Sequence, residues 1–304
     1  MADWSSLAER VEVINISEHI SDHDQLVEKV RDCQILVVMR ERTPLSAELI
    51  NRLPSLRLII TSGMRNASID LTAAQERGIT VCGTQSRSEP PTELTWALIL
   101  GLARHITTEH AALRSNGPWQ STLGVSLHGK TLGLLGLGKI GEAVARVGQA
   151  FGMQVVAWSQ NLTQERTNAV GVSLAASKED LLSRSDVVSI HLVLSERTCG
   201  LVGAKELGLM KPSAFLVNTS RAAIIDQAAL IHALEQGLIA GAGLDVFEQE
   251  PLPGDDPMRS LPNLLATPHL GYVADANYQY YFSQAVEDIH AFLAGEPIRE
   301  LSVS

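Results

Sequence analysis

Arg221, Glu250 and His269 each follow a short apolar run: AFLVN (214–218), GAGLDVF (241–247) and NLLAT (263–267). Together these side chains would serve hydride transfer to a 2-oxo acid. An arginine grips a carboxylate through two parallel N–H donors and polarises a carbonyl. A histidine hands a proton to the developing alkoxide, and a carboxylate on its other ring nitrogen fixes the tautomer. Each residue also has an ordinary reading: an arginine at a helix start, an exposed loop acid, a rim histidine with its hydrogen bonds satisfied. What distinguishes the set is its common place. Chemistry in an open parallel sheet gathers beyond the carboxyl ends of the strands.

The same rim carries a phosphate-cradling signal. The stretch TLGLLGLGKIGEA (131–143) runs from an apolar strand into Gly136-Leu-Gly138-Lys-Ile-Gly141 and then a helix over 142–150. That context separates a dinucleotide loop from a chance βα turn. Gly136 permits the tight turn, and Gly138 lets a pyrophosphate approach the amides at the helix N-terminus. Gly141 lets the helix lie close on the strand.

Positioning these groups requires alternating strands and helices, and the pattern supplies them. Strands are expected at VEVINI (11–16), ILVVM (35–39), LRLIIT (56–61) and ITVC (79–82), with helical patterns over 22–31, 46–52 and 70–77. Four such βα units make a small doubly wound domain. Pro90-Pro91 opens a helical pattern over 92–114, expected as one helix bridging two domains. A second strand series follows at 131–136, 154–158, 187–192, 214–218, 241–247 and 263–267, and a final helix spans 274–294.

The chain of 304 residues exceeds one ordinary core, so two domains are expected. Its net charge of −10 and the lack of a basic run argue against a nucleic-acid partner. Cys33, Cys82 and Cys199 are odd in number and far apart, which predicts reduced, mostly buried thiols and no metal site. The longest apolar run, 96–103, falls short of the roughly 20 residues that cross a bilayer. With no leader pattern at the N-terminus, these features predict a cytoplasmic protein without a membrane partner.

Several segments are similar to a known family. SGMRNASIDL (62–71), PPTELTWALILGLAR (90–104), LHGKTLGLLGLGKIGEAVA (127–145), SDVVSIHLVLSERTCGLV (185–202), NTSRAAIIDQAAL (218–230), GLDVFEQEPLP (243–253) and TPHLG (267–271) occur in one order and spacing. Through them the chain resembles the D-isomer-specific 2-hydroxyacid dehydrogenases over about 55–271. The resemblance implies an α/β fold of two doubly wound parallel-sheet domains. A Rossmann NAD(P)-binding domain (95–274) would be inserted into a flavodoxin-like substrate domain (1–94 and 275–304). It implies interconversion of small 2-oxo acids and D-2-hydroxy acids, and commonly a homodimer with the helix after Pro91 near the interface. Arg221 would bind the substrate's carboxylate and keto oxygen, and His269, paired with Glu250, would be the acid–base. Lys139 and Ile140 would cover the pyrophosphate, and Ser159 and Gln160 would take the ribose position. Thr219, Asp245, His269 and Gly271 would lie beside the nicotinamide. The loop of Gly63, Met64 and Arg65 would meet the substrate from the other domain. The alternatives are a formate- or phosphonate-type dehydrogenase, against which Glu250 argues because a glutamine is expected there, and a nucleotide-sensing corepressor or scaffold of the same fold.

Departures from the family pattern carry information. After QVVAW a NAD-preferring relative places an acid, whereas this chain has Ser159-Gln160-Asn161. That removes the repulsion which excludes a 2′-phosphate, and so leans the cofactor towards NADP, with NAD the alternative. Arg166 is the nearest arginine downstream that would reach the phosphate. Arg65 replaces a common glycine and would either contact an anionic substrate or point to solvent. Tyr272 would line the pocket, while Tyr278, Tyr280 and Tyr281 would pack the last helix on its neighbours.

Overall fold

The alternating pattern produces two separate units in the computed structural model, which describes residues 2–18, 20 and 22–303. One unit runs to Arg87 and resumes at Ala274; the other is Ser88–Val273.

In the first unit the order is α1 (His23–Val30), β1 (Ile35–Val38), α2 (Ala47–Asn51), β2 (Leu58–Ser62), α3 (Leu71–Glu76) and β3 (Thr80–Thr84). Each of these helices starts at a side-chain cap, where Asp22, Ser46 and Asp70 accept the amides of Gln25, Leu49 and Ala73. The sheet is parallel with order β1-β2-β3. Strand alternation buries both faces. Ile59 and Val81 pack with Leu49, Ile50, Ala73 and Ala74, while Leu58, Ile60 and Cys82 face the opposite core. The expected strand at 11–16 does not form. It has no ladder partner, and Val13 and Ile14 are 51% and 63% exposed. β-propensity describes the fit of a side chain to a pleated, half-buried surface, and without such a surface the segment gains nothing by pairing. The sheet therefore has three strands among the described residues instead of four.

The second unit contains α4 (Glu89–Ala103), α5 (Ile106–Arg114), β4 (Thr131–Leu135), α6 (Lys139–Ala150), β5 (Gln154–Trp158), α7 (Gln164–Val170), β6 (Ser173–Leu174) and α8 (Lys178–Arg184). It continues through β7 (Val187–Ile190), α9 (Ala204–Leu207), β8 (Phe215–Asn218), α10 (Gln227–Glu235), β9 (Gly241–Leu244) and β10 (Leu264–Ala266). All seven strands are parallel in the order β10-β9-β8-β7-β4-β5-β6. One face buries Leu132, Leu134, Val155, Ala157 and Val217; the other buries Leu135, Val156, Val188, Leu216 and Leu244. Helices cover both faces, as an all-parallel sheet demands.

The single helix expected over 92–114 is two. His105 adopts a left-handed backbone (φ 49°), and the Ala103 carbonyl accepts the Val125 amide at 2.7 Å instead of continuing the helix. α4 lies wholly in the second unit, and no residue of α5 is buried. The thiols also differ from expectation: Cys82 is buried, Cys33 half-buried and Cys199 exposed. Burial pushes the Cys82 thiol up to about 12.

The last helix, α11 (Asp275–Ala294), returns to the first unit and packs on β2 and β3. Its fully buried Asn277 accepts the Arg87 amide (3.0 Å), and Gln284 accepts the Gln85 amide (2.8 Å). Tyr281 is buried and Tyr280 lies under the Arg87 guanidinium, as expected of residues that pack the helix on its neighbours, whereas Tyr278 meets Phe282 of the same helix edge-on. Beyond α11, the Arg299 carbonyl accepts from Gly83 and the Leu301 amide donates to Val81, laying the tail along β3.

Candidate active site

The strand order of the larger sheet reverses between β4 and β7, so the loops leaving these two strands diverge and open a crevice at their carboxyl ends. The glycine loop sits there. Gly136 has φ 104°, and a Cβ would stand 2.5 Å from the His191 carbonyl oxygen, so no other residue fits this turn. A Cβ on Gly141 would stand 2.3 Å from the Gly136 oxygen. At Gly138, by contrast, a Cβ would meet nothing within 4 Å, and no side chain caps the first turn of α6. A helix N-terminus with uncapped amides and open space in front suits a pyrophosphate, so the residues present fit a dinucleotide.

The tips of β8, β9 and β10 carry the polar set. After β8, the Asn218 side chain accepts the Ser220 amide through Oδ1 and donates to the Arg221 carbonyl through Nδ2, both at 2.9 Å. Ser220 Oγ donates to the Ile190 carbonyl at the neighbouring tip of β7. These bonds fix the backbone from which Arg221 projects, and its Nη1 donates to Ser220 O at 2.8 Å. After β9, Glu250 Oε1 accepts the Phe247 amide at 2.9 Å, which leaves Oε2 to meet His269 Nδ1 at 2.6 Å. The His269 and Glu250 side chains are 22% and 35% exposed, so both are accessible from one side.

His269 itself has a left-handed backbone (φ 54°), a strained conformation for a residue with a Cβ. Asp245, fully buried past β9, holds it there. Its Oδ1 accepts from Thr267 Oγ1 (2.6 Å) and the Leu270 amide (2.7 Å), and its Oδ2 accepts the Gly271 amide (2.7 Å). Burial lifts the Asp245 carboxyl above its usual range, against the pull of those donors and of His269. Partial burial likewise pushes Glu250 up. The His269 hydrogen bond, the Phe247 amide and the charges of His269 and Arg221 outweigh it and set Glu250 below the ordinary glutamate value. Arg221, Glu250 and His269 thus form one electrostatic group beside the glycine loop.

The sequence profile of the family described as "D-isomer specific 2-hydroxyacid dehydrogenase, NAD binding domain" matches residues 96–271. The chain belongs to the D-isomer specific 2-hydroxyacid dehydrogenase family. Membership makes it an oxidoreductase of the 2-oxo acid and 2-hydroxy acid pair with a nicotinamide cofactor. Among curated relatives, a glyoxylate reductase of Korarchaeum cryptofilum is 37% identical over 89% of this chain and 83% of its own length. A D-3-phosphoglycerate dehydrogenase of Methanocaldococcus jannaschii is 36% identical over 90% of this chain but only 52% of its own length. The crystal structure of a phosphoglycerate oxidoreductase from Vibrio cholerae matches with a TM-score of 0.92 at 35% identity, covering 97% of this chain and 95% of that one.

In this dehydrogenase the remaining candidate residues fall into two groups. Thr219 lies beside the site, its hydroxyl 2.9 Å from that of Thr95, which donates in turn to the Pro91 carbonyl. Tyr272 is buried and makes a T-shaped contact with the His269 ring at 5.5 Å between centroids, so it braces the imidazole. Ser159 and Gln160 leave β5, whose Trp158 carbonyl accepts the Gly136 amide at 2.9 Å. Lys139 and Ile140 open α6. Gly63, Met64 and Arg65 follow β2 in the other unit, with Met64 and Arg65 exposed.

Sequence reasoning passed over two residues. Asn218 closes an apolar strand and forms an Asx turn, a signal present in its position before Thr219-Ser220. His191 follows β7 at the crevice, bonded through Nε2 to Ser189 Oγ at 2.9 Å, and burial pushes it down to about 4. The strand expected over 187–192 enclosed it, so the rule that picked out His269, a polar residue just past an apolar strand, did not reach it. No helix of the described residues is long and apolar enough to cross a membrane.

Proposed function

We propose that this chain is an NAD(P)H-dependent reductase of small 2-oxo acids, forming D-2-hydroxy acids with Arg221, Glu250 and His269 as its catalytic group. The observation that carries the proposal is the 2.6 Å contact of His269 Nδ1 with Glu250 Oε2. Glu250, ionised at neutral pH, only accepts, so Nδ1 carries a proton and donates it. The second ring nitrogen, Nε2, is then the one that trades a proton with the substrate.

Arg221 binds the substrate carboxylate through its guanidinium fork and draws electron density from the keto oxygen. As charge develops on that oxygen, protonated His269 passes its Nε2 proton to it and becomes the neutral Nδ1–H tautomer, already paired with Glu250. In oxidation the same nitrogen takes the hydroxyl proton. Asp245 keeps the histidine loop in place and Tyr272 keeps the ring upright. The nicotinamide supplies or accepts the hydride. Thr219, Asp245 and Gly271 would hold it, while Lys139 and Ile140 would offer amides to the pyrophosphate.

The turn at Ser159, Gln160 and Asn161 has no acid, and this supports use of NADP. Replacing Ser159 with aspartate is expected to shift preference towards NADH about tenfold, because a carboxylate bonds the ribose hydroxyls and repels a 2′-phosphate. An unchanged NADPH/NADH ratio of kcat/KM would remove Ser159 from the choice. A homodimer is supported by α5, which buries none of its residues, and by Ile106, Leu113, Trp119 and Leu123, which are 56%, 60%, 79% and 91% exposed. Sedimentation at twice the chain mass is the expected result, and a monomer would refute it. The activity itself is tested by loss of reduced-nicotinamide absorbance with NADPH and NADH against a panel of 2-oxo acids. Silence across the panel with retained nucleotide binding would refute the enzymatic reading.

A further inference from the structure

Glu142, in the first turn of α6, is shared by two guanidiniums. Arg146 Nη2 meets its Oε1 at 2.6 Å and Arg166 Nη2 meets its Oε2 at 2.7 Å. The arginine side chains are 69% and 48% exposed, and the glutamate is 23% exposed. One carboxylate between two permanent cations leaves the cluster with a net positive charge. An exposed i,i+4 pair needs no second arginine, and such a pair contributes little to a helix. The second arginine comes from another element. Arg166 stands in the first turn of α7, where Thr163 Oγ1 accepts its amide at 3.2 Å and so fixes where the side chain departs.

The cluster's position gives it a ligand. α6 begins at the glycine loop, and α7 begins directly after the turn at Ser159, Gln160 and Asn161. The two are joined at their roots by the bond between the Gly136 amide and the Trp158 carbonyl. A dinucleotide with its pyrophosphate on the α6 amides places its adenosine ribose between that turn and α6. The turn offers hydroxyl and amide groups and no acid. A phosphate monoester carries nearly two negative charges and more acceptor oxygens than a carboxylate, so it competes well for both guanidinium forks.

We infer that Arg166, Arg146 and Glu142 form a subsite for the 2′-phosphate of a phosphorylated adenosine ribose, in which Glu142 holds the two arginines until the phosphate displaces it. The inference rests on the reading of the glycine loop as a dinucleotide site. Glu142 is then a negative regulator of affinity: it organises the arginines and also competes with the ligand.

The test is calorimetric titration of the full chain with adenosine 2′,5′-bisphosphate and with 5′-AMP, which differ only by the 2′-phosphate. The bisphosphate is expected to bind about tenfold more tightly, a margin that shrinks as salt rises. Arg166→Ala and Arg146→Ala should bring the two affinities together while leaving 5′-AMP binding intact. Glu142→Gln should widen the margin about threefold, a gain that misfolding cannot mimic. Equal binding of the two nucleotides by the unaltered chain would overturn the subsite and leave the dinucleotide reading standing. So would an unchanged margin in Arg166→Ala, or a narrowed one in Glu142→Gln. Failure of both nucleotides to bind would overturn the dinucleotide reading and the subsite together.

Discussion

Replacing His269 with glutamine is expected to lower the turnover of 2-oxo acid reduction by about 10²- to 10⁴-fold, the worth of a positioned general acid. Glutamine preserves much of the volume and a hydrogen-bonding end, but it cannot give up a proton at neutral pH. The loop should survive, because its left-handed backbone is held by Asp245 through the Leu270 and Gly271 amides and Thr267, not by the imidazole. Dinucleotide affinity measured by titration should therefore stay within about twofold. Turnover near that of the unaltered enzyme would take His269 out of the mechanism, whereas loss of nucleotide binding would show that the side chain supports the fold. Glu250→Gln makes a graded companion. Glu250 lies below the ordinary glutamate range, largely through its bond to His269, so its charge is present at neutral pH and is lost only as pH falls through that lowered value. Glutamine removes the charge throughout, so the fall in rate that accompanies protonation of Glu250 at low pH should vanish from the pH–rate profile.

Arg221→Lys is expected to cost about 10²- to 10³-fold in kcat/KM, comparable with removal of a preorganised donor from a developing oxyanion. Lysine keeps the charge but loses the planar fork that holds a carboxylate and polarises the adjoining carbonyl. The backbone at this position is set by Asn218, whose side chain bonds the Ser220 amide and the Arg221 carbonyl, so the substitution leaves the turn intact. The loss should appear in both KM and kcat, since one guanidinium both binds the acid and steadies the alkoxide. A change confined to KM would reduce Arg221 to a carboxylate anchor. No change in either constant would reassign both tasks.

The sequence announced the larger sheet well because each of its main strands is an uninterrupted apolar run between turn residues, as burial on both faces requires. Only β6, two residues at the sheet edge, went unseen, since so short a ladder leaves no pattern. Errors arose where tertiary partners decide the outcome. VEVINI has every mark of a strand, yet strand formation needs a neighbour. The pattern over 92–114 is helical throughout, yet a distant amide from Val125 claims the Ala103 carbonyl and ends the helix. The site followed the same division. Arg221, Glu250 and His269 were visible as polar residues past apolar strands. Asp245 was recognised, but not its work, because three donors from a loop more than twenty residues away cannot be read from one aspartate. The partnership of Glu142 with Arg146 was open to helical spacing, while its partnership with Arg166 requires two helices in space.

The return of α11 to the first unit has a consequence for how the protein is made. Ser88–Val273 is one continuous stretch, so everything it needs leaves the ribosome together and can settle while synthesis continues. The smaller unit must wait. Leu58, Ile60 and Cys82 have been translated early, yet the Ala285 and Ile289 that cover them arrive only with the final helix. Until then that face of the sheet has only Leu7, Trp4 and Val11 from the N-terminal stretch to cover it, with β1 an unguarded edge beside it. The polypeptide emerging first is thus the last to become native, and chaperone dependence during translation should concentrate on its opening third.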